Sequence, residues 1–401
     1  MLTIGILREE KSPPDKRVPL SPSQCQLLVK KYPNLTILVQ PSAIRCFKDE
    51  EYQQFGISLS EDLSMCAILL GVKEVPTQHL IENKTYLFFS HTIKKQPYNR
   101  DLLRSMVEKH IRMIDYETLT YPQGGRLLGF GRYAGVVGCY NGFLAYGHRS
   151  KRYELKSAHL CKDRNELEQE LRKVDLPNIK IIVSGKGRVG KGALEIVRLL
   201  NIKEVSVEEF KTQQFDQPVF VHVDFPDYNA RKDGAAFVNQ EFFDSPHLFK
   251  STFMELAKHA DMFIAGHYYG DGSPFLFTRE DAKSPDFKIR TIADISCDID
   301  GPVASTIRPS SIAEPIYGYN PLTEKEDAFD KTDVITVMAV DNLPCELPKD
   351  ASEDFGNSLI ADVIPLFFGK DDESILERAT ICKDGDLNRP FEYLRDYLNG
   401  N

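Results

Sequence analysis

The chain has 401 residues, 42% of them hydrophobic and 27% charged, with a net charge of −9. That length exceeds one ordinary domain and predicts two or three, with apolar side chains enough for sizeable cores. The acidic balance excludes a general nucleic-acid or anionic-membrane surface, since both need a concentrated basic face, and no stretch approaches the roughly 18 apolar residues of a membrane span.

The opening MLTIGILREE reads directly as a strand, without the basic and then apolar pattern of a secretory leader, so a cytoplasmic protein is expected. Eight cysteines, none in C-x-x-C spacing, are expected to be free thiols, and no metal site is expected. After the first strand, Ser21 followed by Pro22 predicts a capped helix over SPSQCQLLVKKY. Strand LTILVQP, a helix over 48–55, strands in ILLGVKEVP and TYLFFSHTI, helix DLLRSMVEKHI and strand RMIDYETL continue the alternation. Such a rhythm predicts a parallel sheet with helices on both faces. GRYAGVVGCYNGFLAYGHRS, rich in small residues, predicts a long helix packed tightly between two units.

IKIIVSGKGRVGKGA follows a charged connector. A short apolar run precedes Gly185, Gly187 and Gly190 in G-x-G-x-x-G spacing, with Arg188 and Val189 between, and a helix-forming run comes next. This strand–turn–helix context is the one a dinucleotide needs: the glycines permit the turn, the backbone approach to a pyrophosphate and the helix–strand packing. An acidic residue about 20 residues further on is expected to take the adenosine ribose. The run KEVSV reads as a short strand ending on Glu208 and Glu209, and Glu208 is assigned that role, which favours NAD over NADP. Residues 212–259 read as a long insertion, a flap or an oligomer contact, before the strands of DMFIAGHYY, IRTIADIS and DVITVMAVDNLP.

Hydride transfer at a carbon bearing nitrogen or oxygen needs a proton donor or acceptor nearby. Lys73 and His91 both end apolar runs, where a lysine is partly desolvated and a histidine titrates near neutrality; a surface lysine and a satisfied histidine are the plainer readings. Arg8, Arg17 and Arg126 stand in or beside loops at strand ends, where an arginine fork binds carboxylates. Glu117 pairs with a substrate ammonium, tunes a base, or simply caps a turn.

Seven segments in order, REEKSPPDKRVPLSP, LGVKEVP, FFSHTIK, GGRLLGFGRYAGVVG, SGKGRVGKGA, TIADISCDIDG and VMAVDNLPCELPKDASEDFGNSL, resemble the lysine-forming saccharopine dehydrogenases and the lysine-ketoglutarate reductase domain, within the alanine dehydrogenase and transhydrogenase group. The likeness implies an α/β chain of two Rossmann-like, doubly wound domains with a cleft between them: 1–133 with 342–401 for substrate and catalysis, and 134–341 for the dinucleotide. It implies an NAD-dependent oxidoreductase that interconverts saccharopine with lysine and 2-oxoglutarate. Carried over by residue, Lys73 and His91 become the acid–base pair, Arg17, Glu117 and Arg126 the substrate contacts, and Asp341 a cofactor contact. Some members have two adjacent arginines where this chain has Gly125 and Arg126. Three alternatives stay open: an alanine dehydrogenase-like enzyme, the reductase run with NADPH, and a non-catalytic NAD-sensing module. Monomer and homodimer are equally open.

Overall fold

The computed structural model describes residues 1–369 and 371–400. Two compact units make up the chain, Met1–Phe130 with Pro348–Asn401, and Gly131–Leu347.

In the first unit, strands β1 (Leu2–Ile6), β2 (Leu35–Val39), β3 (Ser58–Leu59), β4 (Ile68–Leu70), β5 (Thr85–Phe88) and β6 (Arg112–Asp115) pair in parallel. Except in the short β3, their central residues are buried on both faces, as continuous apolar runs require when helices cover a parallel sheet. The helix Pro22–Lys31 starts where the sequence predicts, because the Ser21 hydroxyl accepts from the Gln24 amide while the Gln24 side chain accepts from the Ser21 amide at 2.9 Å.

The second unit opens with the helix Gly131–Ser150 and then builds a second sheet: β7 (Lys180–Ser184), β8 (Lys203–Glu204), β9 (Val219–Val223), β12 (Met262–Ala265), β13 (Thr291–Asp294), β14 (Ile316–Asn320), β15 (Lys325–Asp327) and β16 (Ile335–Met338). A separate antiparallel pair, β10 (Asn229–Arg231) with β11 (Phe249–Ser251), stands apart from it. The order is β15-β14-β16-β13-β12-β7-β9-β8, parallel from β16 to β8. On its return the chain adds β17 (Thr380–Lys383) and β18 (Asp386–Leu387) to the first sheet, giving β18-β17-β6-β5-β4-β1-β2-β3.

Three expectations are corrected here. Neither sheet is wholly parallel: β17 and β18 in one, and β14 and β15 in the other, pair antiparallel at the edge. The stretch 212–259 is no mere insertion, because it supplies β9, a buried strand hydrogen-bonded directly to β7. The small-residue helix Gly131–Ser150 belongs to the second unit and packs within it. There a Cβ on Gly135 would stand 1.9 Å from the Val189 carbonyl oxygen. No helix among the described residues is long and apolar enough to cross a membrane.

Candidate functional site

In the first unit β1, β4, β5 and β6 lie side by side with one direction, so the residues just past their carboxyl ends collect along one edge of the sheet. The chain builds outward from β1 to β2 and β3 on one side and to β4, β5 and β6 on the other. In open α/β sheets the carboxyl ends at such a switch point form the ligand crevice. Lys73, His91 and Glu117 sit there, past β4, β5 and β6 respectively.

Lys73 is half-buried, and burial, followed by the charge of Arg17, moves its ammonium below the usual lysine range. Among the described residues no side-chain hydrogen bond or ion pair holds that ammonium. Its backbone is fixed instead: Glu9 accepts from the amides of Val72 at 2.6 Å and Lys73 at 2.8 Å. Burial pushes the Glu9 carboxyl up to about 8. His91 Nδ1 lies 2.6 Å from Glu74 Oε1, and Lys11 Nζ donates to Glu74 Oε2 at 2.7 Å. Burial opposes charge on Glu74, but the hydrogen bonds from His91 and Lys11 outweigh it and hold the carboxyl at about 2. An ionised carboxylate only accepts, so His91 donates to it from Nδ1, and Nε2 is the ring nitrogen outside that bond.

The arginines are engaged otherwise than the sequence leads one to expect. Arg17 grips Asp15 through two bonds, Nε to Oδ1 at 3.0 Å and Nη2 to Oδ2 at 2.6 Å, with both side chains 3% exposed. Its guanidinium also lies 4.1 Å over the Phe130 ring. Arg126 is exposed and pairs with Glu117 Oε1 at 3.2 Å, while Lys94 approaches the same oxygen at 3.8 Å. The other oxygen, Glu117 Oε2, is buried without a hydrogen-bond partner among the described residues. Arg8 pairs with Glu61 at 3.0 Å on the far side of β1 from this group. Lys11, Glu74, Glu9 and Asp15 were not singled out by sequence; Glu74 had the one usable signal, a charge adjoining Lys73 at a strand end.

The second unit has the same logic at β7, which β9 flanks on one side and β12 on the other. Gly185 has φ +92°, and a Cβ there would meet the Gly266 carbonyl oxygen at 2.3 Å; a Cβ on Gly190 would meet the Gly185 oxygen at 1.7 Å. Only glycine fits either place. A Cβ on Gly187 would meet nothing within 4 Å, so the loop presents open backbone at the start of the helix Arg188–Leu199, with Arg188 exposed and Val189 half-buried beside it. That cradle suits a dinucleotide pyrophosphate. His222 Nε2 donates to the Gly185 oxygen at 2.9 Å, and Ser184 Oγ lies 3.2 Å from Nδ1 of the buried His267. Burial lowers His267 to about 4, which keeps its ring neutral. Asp341 is exposed just past β16. Asp294, at the end of β13, ties its loop by accepting from Ser296 and Thr306, both at 2.6 Å.

Glu208 does not end a strand. β8 stops at Glu204, and Ser206 with Glu209 forms a reciprocal capping box that starts the helix Val207–Thr212, leaving Glu208 exposed in its first turn. The cap overrides the alternating pattern of KEVSV.

Residues 5–137 match the N-terminal domain of alanine dehydrogenase/PNT. The chain is similar to the mitochondrial alpha-aminoadipic semialdehyde synthase of Mus musculus, 28% identical over 98% of this chain and 47% of that protein. It is also similar to the saccharopine dehydrogenase [NAD(+), L-lysine-forming] of Emericella nidulans, 25% identical over 90% of this chain and 91% of the other. The chain thus spans about half the length of the first of these relatives. In fold it is similar to an L-alanine dehydrogenase, with a TM-score of 0.65 at 17% identity, covering 99% of this chain and 100% of that one. Both units are therefore α/β units of Rossmann-like build.

Proposed function

We propose that this chain is an NAD-dependent oxidoreductase that interconverts L-saccharopine, NAD+ and water with L-lysine, 2-oxoglutarate, NADH and a proton. The observation that carries the reading is the convergence of Lys73, His91 with its Glu74 partner, and Glu117 at adjacent strand ends. The homology to saccharopine dehydrogenase supports it.

The loop from Gly185 to Gly190 has the open backbone and glycine-only turns that fit a dinucleotide, with Arg188, Val189 and Asp341 as further contacts. When bound, the nicotinamide supplies the hydride acceptor. Loss of hydride from the secondary amine carbon of saccharopine leaves an imine; water adds, and the carbinolamine collapses to lysine and 2-oxoglutarate. Two proton movements accompany this. His91, oriented by its Nδ1 bond to Glu74, takes the proton of the attacking water on Nε2. Lys73, whose ammonium burial disfavours, exchanges protons with the nitrogen that leaves. Arg126 and Arg17 bind substrate carboxylates, and Glu117 meets the lysine ammonium.

An assay of NADH oxidation with lysine plus 2-oxoglutarate tests the reading, set beside pyruvate plus ammonia and repeated with NADPH. Turnover only with pyruvate and ammonia replaces the reading by alanine dehydrogenase-like chemistry, which the match of residues 5–137 favours. Turnover only with NADPH makes the chain the reductase of the reverse direction. NADH binding without turnover in any mixture makes it a sensing module.

A further inference from the structure

We infer that the amino-terminal edge of the second unit's sheet carries a site for a small multivalent anion, of the phosphate or polycarboxylate class, separate from the glycine loop. A cavity of about 480 Å³ opens there, lined by Lys180, Lys258, Lys288, Arg290 and His259, with Asp261 as the one carboxylate among its described lining. Lys180 begins β7, Asp261 and Arg290 stand immediately before β12 and β13, and Lys258 and His259 lie in the turn that leads into β12. β7 has five residues at roughly 3.3 Å each, so the cavity and the glycine loop lie about 16 Å apart, at opposite ends of one strand. Ligands of open α/β sheets gather at the carboxyl ends, which leaves the charge at this other edge without an account.

The cations here are satisfied as hydrogen-bond donors without being neutralised. The ammonium of Lys180, a residue 8% exposed, donates to the carbonyl oxygens of Phe210 at 2.8 Å and Gln213 at 2.6 Å. Lys288 donates to the Pro285 oxygen at 2.8 Å, and Arg290 Nη1 to those of Phe287 at 2.8 Å and Ile289 at 3.0 Å. Among the described residues only Lys258 of these four has a carboxylate partner, Glu255 at 2.7 Å. Asp261 is engaged with backbone, accepting from the Lys180 amide at 2.9 Å. Carbonyl dipoles fill donor positions but leave the positive charge in place, so one cavity gathers cations in a chain whose net charge is −9. Their crowding is felt at His259, which burial, and then the charges of Lys180 and Lys258, lower from the usual histidine range. Phe215 walls the same cavity, with the ammonium groups of Lys180 and Lys203 at 5.5 Å and 5.8 Å from its ring, so Lys203 adds to the field. Two or more negative charges on one small molecule supply the missing counter-charge, through charge-assisted bonds from Lys258, Lys288 and Arg290.

Isothermal titration of the full chain with inorganic pyrophosphate and, separately, with citrate at low ionic strength tests this. At least one of the two is expected to bind, and binding of one alone tells phosphate chemistry from polycarboxylate chemistry. Lys258 and Lys288 are exposed, so the double variant Lys258→Gln/Lys288→Gln is expected to keep the wild-type melting temperature, with Lys288→Gln alone as the second variant. The double variant should bind the anion about tenfold or more weakly. Gly187→Ala, at the other end of β7, should leave that affinity unchanged. Failure of both anions to bind the wild-type chain, or equal affinity in the folded lysine variants, overturns the assignment. A loss in Gly187→Ala in place of the lysine variants also overturns it, because the anion then sits on the glycine loop.

Discussion

The helix Gly131–Ser150 and the helix Arg188–Leu199 touch backbone to backbone, and one methyl group is enough to test how much that contact contributes. A Cβ on Gly135 would stand 1.9 Å from the Val189 oxygen and 2.7 Å from the Ala193 amide nitrogen; a Cβ on Gly192 would stand 2.0 Å from the Arg132 oxygen. Carbon and carbonyl oxygen require roughly 3.3 Å, so the helices must part by more than an ångström or so at the crossing. Two effects compete in Gly135→Ala. Helix propensity gains about 1 kcal/mol. Overpacking typically costs about 1–3 kcal/mol and more where the obstacle is rigid backbone. The steric effect prevails, and net destabilisation of about 2 kcal/mol lowers the melting temperature of a unit this size by about 4–8 °C. Differential scanning calorimetry reads the shift. Gly187→Ala supplies the contrast, because its methyl meets nothing within 4 Å, and its melting temperature should stay within the change expected of about 0.5 kcal/mol. A Gly135→Ala chain that melts at or above the wild-type temperature refutes the close-packing argument.

Gly187→Ala should nevertheless weaken NADH about tenfold or more, as its methyl enters the space a pyrophosphate needs; equal affinity by titration would mean that nothing approaches that loop. Lys73→Met and His91→Gln should each lower turnover by about a hundredfold or more with melting unchanged, and undiminished rates in both would remove their assignment. Glu346, 2% exposed and bonded to Asn141 at 2.8 Å, is pushed up to about 7 by burial. A carboxyl raised on folding contributes stability that is complete below its unfolded value and lost as pH rises through about 7. Wild-type urea midpoints should therefore decline between about pH 5 and 8, and Glu346→Gln should flatten that decline; identical slopes would sink the idea.

Much of the architecture was legible because its signals are local. The Ser21 cap, the apolar runs of β1, β4, β5 and β7, and the glycine loop each declare themselves within a dozen or so residues. What was lost depends on pairing partners far along the chain. β9 is a good apolar run, VFVHV, but its distance from the glycine loop made it look like part of an insertion, and only the ladder to β7 shows it to be that strand's neighbour. The edge strands β15 and β18 are short and charged, with no apolar alternation to announce them. Lys73, His91 and Glu117 could be named singly from strand ends. Their grouping follows from the order β6-β5-β4-β1, which no spacing encodes. The hydrogen bonds that engage Arg17 with Asp15, and Arg126 with Glu117, were invisible for the same reason.

The charges at the first unit's strand ends are not arranged for stability. Asp15 and Arg17 satisfy each other, and Glu74 takes two donors, so those groups recover part of what desolvation costs. Lys73 recovers nothing of the kind: it is half-buried, depressed in pKa and without a side-chain partner among the described residues. Glu117 Oε2 is likewise buried and unpaired. A core selected for stability alone would place an apolar side chain at the first position and a donor beside the second. Both groups border the same sheet edge, one cationic donor and one anionic acceptor, each lacking the partner that a substrate with amine and carboxylate groups would bring. That shared deficit is a stronger argument for a small zwitterionic ligand at this edge than the presence of either residue alone.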